Sequence, residues 1–186
     1  MDLPPFYVGR LLLAMPGIGD ANFDRSVIAL CAHDDNGALG IDIGSEMDGL
    51  GLRELLGTFD IDGSDIPDVP VLRGGPVEPR RGFVLHSLDW GGREMLQVND
   101  QWGLSGSLDV LKAIAERRGP RHYLVALGYA GWGAGQLEQE MTGLGWFMAP
   151  AETSLIFGTR TEKRWAAGFA ASGVDSAMLV SEGGSA

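Results

Sequence analysis

With a single cysteine, Cys31, in 186 residues, the chain cannot close an internal disulfide. It has no CxxC pair and no Cys/His spacing of the kind that ligates zinc. A reducing compartment and a site without metal or cofactor are therefore expected. Basic residues are scarce: 14 Lys and Arg against 25 Asp and Glu leave a net charge of −11. That field repels phosphate backbones and anionic lipid headgroups. Direct nucleic-acid binding is disfavoured, since the basic groupings, Arg73, Arg80 and Arg81 with Arg117, Arg118 and Arg121, read more readily as solvated faces. No apolar run approaches the roughly 18–20 residues of a membrane span. The N-terminus has no basic stretch followed by an apolar segment, so the cytoplasm is the expected location. Also missing are a Gly-x-Ser-x-Gly elbow, a Walker loop and the Rossmann glycine spacing. Gly103-Leu104-Ser105-Gly106 lacks the elbow register.

The 45% hydrophobic content balanced by 21% charged residues is that of a globular chain, and the length suits one core. No repeat or composition break divides it, so residues 1–186 are read as one α+β domain, with 181–186 fraying. Tyr7 to Ala14 reads as a buried strand. Ser26 to His33 and Ala38 to Ile43 read as an antiparallel pair, joined at the turn signal Asp34-Asp35-Asn36-Gly37. Further strands are expected at Gly82 to Ser87, Met95 to Val98, His122 to Tyr129 and Ser154 to Phe157. Helices are expected at Leu50 to Leu56, after Ser107, at Gly135 to Gly143 and at Glu162 to Ala171. In the last of these, Trp165 and Phe169 are spaced to pack together. The sheet should be mixed or largely antiparallel.

Several segments, in order, are similar to the AlgH/YqgE family across nearly the whole chain. They are Gly9 to Pro16, Phe23 to Ile28, His33 with Gly37-Ala38-Leu39-Gly40, Gly74-Gly75-Pro76-Val77, Val84-Leu85-His86, and Leu127 to Glu140 completed by Trp146. One departure stands out: Gly44 occupies the place where members usually carry Asn. The resemblance implies a bacterial protein with a strongly curved central sheet flanked by helices. It also brings a label of transcriptional regulator linked to alginate production, and implies no particular ligand or reaction.

Seven residues stand as ligand-binding candidates. Trp132, Gln136 and Glu140, at i, i+4 and i+8, would share a slanted stripe if the helix began near Trp132. The alternative places Trp132 in the core, Gln136 on backbone groups and Glu140 in solvent. Gly74 and Gly75 permit close ligand approach or a structural corner. His33 and His86 sit at strand ends, where each could act as a general base or metal ligand or serve as a hydrogen-bonded structural group. Cys31, after an aliphatic run, reads as a buried hydrophobe.

Two functions are carried forward. The first is a regulatory protein binding a small molecule or protein partner. The second is an enzyme with a pocket built from His33 or His86 and the Trp132-Gln136-Glu140 stripe. A homo-oligomer interface is a third use of the exposed aromatics.

Overall fold

The computed structural model describes residues 6–16, 25–91 and 95–183. Phe23 and Asp24 of the family pattern, and 184–186 of the tail, lie outside them. The elements run β1 (Leu11–Ala14), β2 (Val27–Asp34), β3 (Gly37–Asp42), β4 (Glu46–Gly51), α1 (Leu52–Thr58), β5 (Pro70–Arg73), β6 (Val77–Ser87), β7 (Met95–Gln97) and β8 (Trp102–Ser105). There follow α2 (Leu108–Ala115), β9 (Tyr123–Gly133), α3 (Gln136–Thr142), β10 (Trp146–Ala149), α4 (Thr153–Gly158), α5 (Arg164–Ala171) and α6 (Ser176–Gly183). No described helix is long and apolar enough to cross a membrane.

The strands form one curled, half-barrel sheet in the order β10-β1-β2-β3-β9-β6-β8-β7. Neighbours on that path are antiparallel. β5 joins β9 in parallel and carries β4 at its side, so the sheet is mixed and largely antiparallel, as expected. Strand alternation sends successive residues to opposite faces, and here both faces are covered. Leu11 and Leu13, with Ala29 and Ile41, pack beneath Leu155, Trp165 and Phe169 of α4 and α5. Leu12 and Ile28 pack with Leu137 of α3. Further along the sheet, Val84 and Val125 pack under α1 and α2. Leu11, Leu12 and Leu13 are fully buried, each worth about 1.5–3 kcal/mol.

Two expectations are corrected. Ser154 to Phe157 is not a strand but lies within α4, where the amides of Leu155 and Ile156 donate to the Glu152 carbonyl. A short apolar run has no period long enough to choose between the two. The late strand is instead Trp146–Ala149, paired with β1. The helix of the glycine motif begins at Gln136, after a strand that runs through Trp132 to Gly133. The β2–β3 hairpin forms as read, but Asp34 pairs with Gly37, so Asp35 and Asn36 make the turn. α6 extends to Gly183, three residues into the segment read as a fraying tail.

β9 is the spine. One edge pairs with β6 from Tyr123 to Tyr129. The other is shared: Ala126 and Leu127 pair with β5, and Ala130 to Gly133 pair with β3. The handover occurs at Gly128, which adopts φ +80°. There Gly74 N–H donates to the Leu127 carbonyl, and Asp42 N–H donates to the Gly74 carbonyl, each at 2.8 Å. A Cβ on Gly75 would lie 2.1 Å from the carbonyl carbon of Tyr129, and one on Gly74 2.2 Å from the Gly128 oxygen. Gly75→Ala is expected to destabilise the protein by at least about 3 kcal/mol in urea unfolding. A loss below 1 kcal/mol, on the scale of the ordinary glycine-to-alanine entropy gain, would show that the crossing is loose.

Candidate functional site

The glycine motif ends in a small polar cluster. Glu140 Oε1 accepts the indole N–H of Trp132 at 3.2 Å and that of Trp146 at 2.9 Å. Its Oε2 accepts Gln136 Nε2 at 2.9 Å, and Gln136 Oε1 accepts the Gly133 amide at 2.9 Å. The two indoles meet edge to face with centroids 6.0 Å apart. The residues named from sequence therefore do converge, but through a strand, a turn and a helix rather than along one helical stripe. Gly135, at φ +75°, turns the chain from β9 into α3. Every polar atom in the set already has a protein partner. The cluster fastens α3 across β9 and β10, with Trp132 and Trp146 buried.

His33 is buried beside it. Its Nδ1 accepts the Tyr7 backbone N–H at 3.1 Å. An amide can only donate, so Nδ1 is unprotonated, and Nε2–H donates to Glu138 Oε1 at 2.8 Å. Phe6 closes on the ring edge to face at 5.0 Å. The Glu138 carboxyl is held below its ordinary range, chiefly by that imidazole bond. His33 thus pins the N-terminal approach and α3 to β2.

His86 belongs elsewhere. It is fully buried on β6, donates from Nδ1 to the Ser87 carbonyl at 2.9 Å, and accepts the Ser105 hydroxyl at Nε2 at 2.8 Å. Burial pushes its pKa down, opposed by the Ser87 bond and by Asp89. Among the described residues, no hydrogen bond, ring contact or cavity joins His33 to His86. Gly74 and Gly75 are occupied by the backbone crossing; Gly75, with Asp42 and Arg73, lines a cavity of about 230 Å³, and Gly74 does not.

Two buried charges went unremarked in the sequence. Asp42 is 5% exposed; its carboxylate accepts Ser26 Oγ at 2.9 Å and the amides of Gly44 at 2.9 Å and Val27 at 3.2 Å. Burial pushes its pKa up to about 6, against the pull of those bonds. A polar residue between Ile41 and Ile43 looks like the wet face of an alternating strand, so nothing marked it as buried. Gly44 fits this turn because a Cβ there would lie 2.9 Å from the Arg25 carbonyl oxygen. Arg164, 4% exposed, donates to the carbonyls of Ile156 and Ile43 and to Thr161, tying α5 to α4 and to the end of β3. Cys31 is buried, and burial raises its thiol pKa.

A curled, mixed sheet whose glycine-rich spine is locked by a tryptophan-glutamate cluster defines a particular class of α+β domain. The family described as AlgH-like matches residues 11–177, and the chain belongs to that family. It is 53% identical over 186 residues to a UPF0301 protein of Rhizorhabdus wittichii, covering 100% of both chains. It is 54% identical over 178 residues to one of Novosphingobium aromaticivorans, covering 96% of each. The solution structure of the AlgH protein from Pseudomonas aeruginosa superposes with a TM-score of 0.77 at 36% identity, covering 100% of this chain and 99% of that one.

Removing the shared acceptor should show what the cluster is for. Glu140→Ala removes the carboxylate that two buried indole N–H groups share and is expected to cost about 2–5 kcal/mol in urea unfolding. Glu140→Gln, which keeps an acceptor oxygen, should cost clearly less; equal losses would contradict the shared-acceptor geometry. For Asp42, the folded pKa of about 6 exceeds the reference 3.8, so its contribution is greatest below pH 4 and is lost as pH rises through 6. Asp42→Asn should therefore gain about 3 kcal/mol relative to wild type between pH 4 and pH 7, read from the difference between their unfolding curves. A flat difference would show that the carboxylate is well solvated.

Proposed function

We propose that this protein is a cytoplasmic binding protein that engages a protein partner through an open groove at the hairpin end of its sheet, and that any regulatory output runs through that partner. The observation that carries this reading is a groove of about 420 Å³ lined by Ala32, Asp34, Asn36, Leu39, Val77 and Tyr129. Its walls include Gly37, Ala38 and Leu39 and also Tyr129, Gly131 and Trp132, which fall in segments that carry the family pattern. His33 and Trp132 also line the groove, with their polar atoms committed to internal bonds, so they shape its wall.

The groove is apolar along Ala32, Leu39 and Val77 and acidic at Asp34, while the chain as a whole carries a net charge of −11. Such a surface favours an extended segment with apolar and basic side chains, and its field steers basic partners inward. It repels nucleic acid, so the regulator label fits a protein contact better than a DNA contact.

Extended peptides selected by phage display on the wild-type protein provide the test. Selected sequences should be enriched in Lys or Arg and should lose at least tenfold in affinity on Ala32→Arg, a substitution at an exposed groove position. Peptides that bind the variant and wild type equally would place recognition elsewhere and overturn the reading.

A further inference from the structure

The His86–Ser105 pair lies on the sheet face covered by α1 and α2, away from the groove. Ser105 ends β8, and the chain turns through Gly106 and Ser107 into α2. The Ser105 hydroxyl donates to His86 Nε2 at 2.8 Å, and His86 Nδ1–H donates to the Ser87 carbonyl at 2.9 Å. The two contacts fix each other. A carbonyl only accepts, so the ring proton resides on Nδ1 and the Nε2 lone pair faces the hydroxyl. Nucleophile, base and orienting acceptor thus stand in line. Burial keeps the imidazole neutral near pH 7.

A cavity of about 230 Å³ is lined by Ser105, Ser107, Phe59, Phe83, Arg80 and Arg81; His86 lies behind Ser105, outside the lining, and is reached through the Ser105 hydroxyl. The first-turn amides of a helix have no intrahelical partner, and the Ser107 side chain does not cap α2. Arg81 lies over the Phe83 ring at 5.1 Å, which holds a cation beside an apolar wall. Ser105 itself is 2% exposed. Only a slender acyl group reaches its hydroxyl.

We propose that this cavity is an acyl-transfer site in which Ser105 is the nucleophile and His86 the base, acting on short, unbranched carboxylic esters that carry an anionic group held by Arg80 and Arg81. The Ser105 proton passes to His86 Nε2 as Oγ bonds to the ester carbonyl carbon, and the oxyanion that forms is received by the first-turn amides of α2. The C–O bond to the alcohol then breaks, and the departing alkoxide takes the proton from Nε2, leaving acyl-Ser105. Water reverses the sequence: it gives a proton to Nε2, adds to the acyl carbon, and Ser105 leaves with that proton, releasing the carboxylic acid.

A fluorophosphonate probe tests the site without knowledge of the substrate. Intact-mass analysis and peptide mapping should find one adduct on wild-type protein, at Ser105. It should be absent from Ser105→Ala that circular dichroism shows to be folded, and should form at least tenfold more slowly on folded His86→Gln. The same preparation should hydrolyse p-nitrophenyl butyrate faster than Ser105→Ala does. No adduct on wild type, an adduct at another residue, or equal labelling of Ser105→Ala would overturn the proposal. Should His86→Gln fail to fold, wild type against Ser105→Ala decides alone.

Discussion

The fold depends on two backbones meeting with no side chain between them. Gly74 and Gly75 cross the middle of β9 at Gly128 and Tyr129, where an added Cβ would fall about 2 Å from carbonyl atoms. That contact lets one edge of β9 serve β5 first and β3 afterwards. Without the handover the two halves of the sheet would compete for one edge, and the curl that wraps them around α4 and α5 could not form. Asp42 is buried at the same junction because its amide closes the bridge to Gly74, and its carboxylate then has to satisfy the turn at Gly44.

From this junction outward, the residues that look most chemical are used structurally. Glu140 serves two indoles, His33 serves an amide and a carboxylate, and Gln136 closes the turn from β9 into α3. A domain whose spine carries so many glycines has few side chains with which to hold its flanking helix. The polar cluster supplies that grip where apolar packing is thin. The open surfaces lie on either side of it: the groove toward the hairpin, and the cavity at the end of β8.

Much of this was legible from residues. Alternation and β-branching marked β2 and β3, apolar spacing after Ser107 marked α2 although the Ser107 side chain makes no capping bond, and the motif of Leu127 to Glu140 marked a single local unit. The stripe geometry was not legible, since spacing of four suits a helix and says nothing of a strand that ends inside it. Nor was the fate of Leu155 and Ile156, where a run of four apolar residues fits either period. Buried polar pairs were the least visible. Asp42 and Ser26, or His86 and Ser105, become partners only once strands far apart in sequence are aligned, and no local pattern announces it. The pairing of His33 with Glu138 rather than Glu140 follows from the same cause, because the turn between strand and helix sets which carboxylate faces the ring.

Native-state hydrogen exchange at the crossing is the measurement that tests the account most directly. The amides of Asp42 and Gly74, which donate to Gly74 and Leu127 respectively, should exchange only through global unfolding, with opening free energies equal to that of the most protected core strand. Exchange through a local opening several kcal/mol below the global value would mean that the two halves of the sheet move independently there, and that the crossing does not organise the fold.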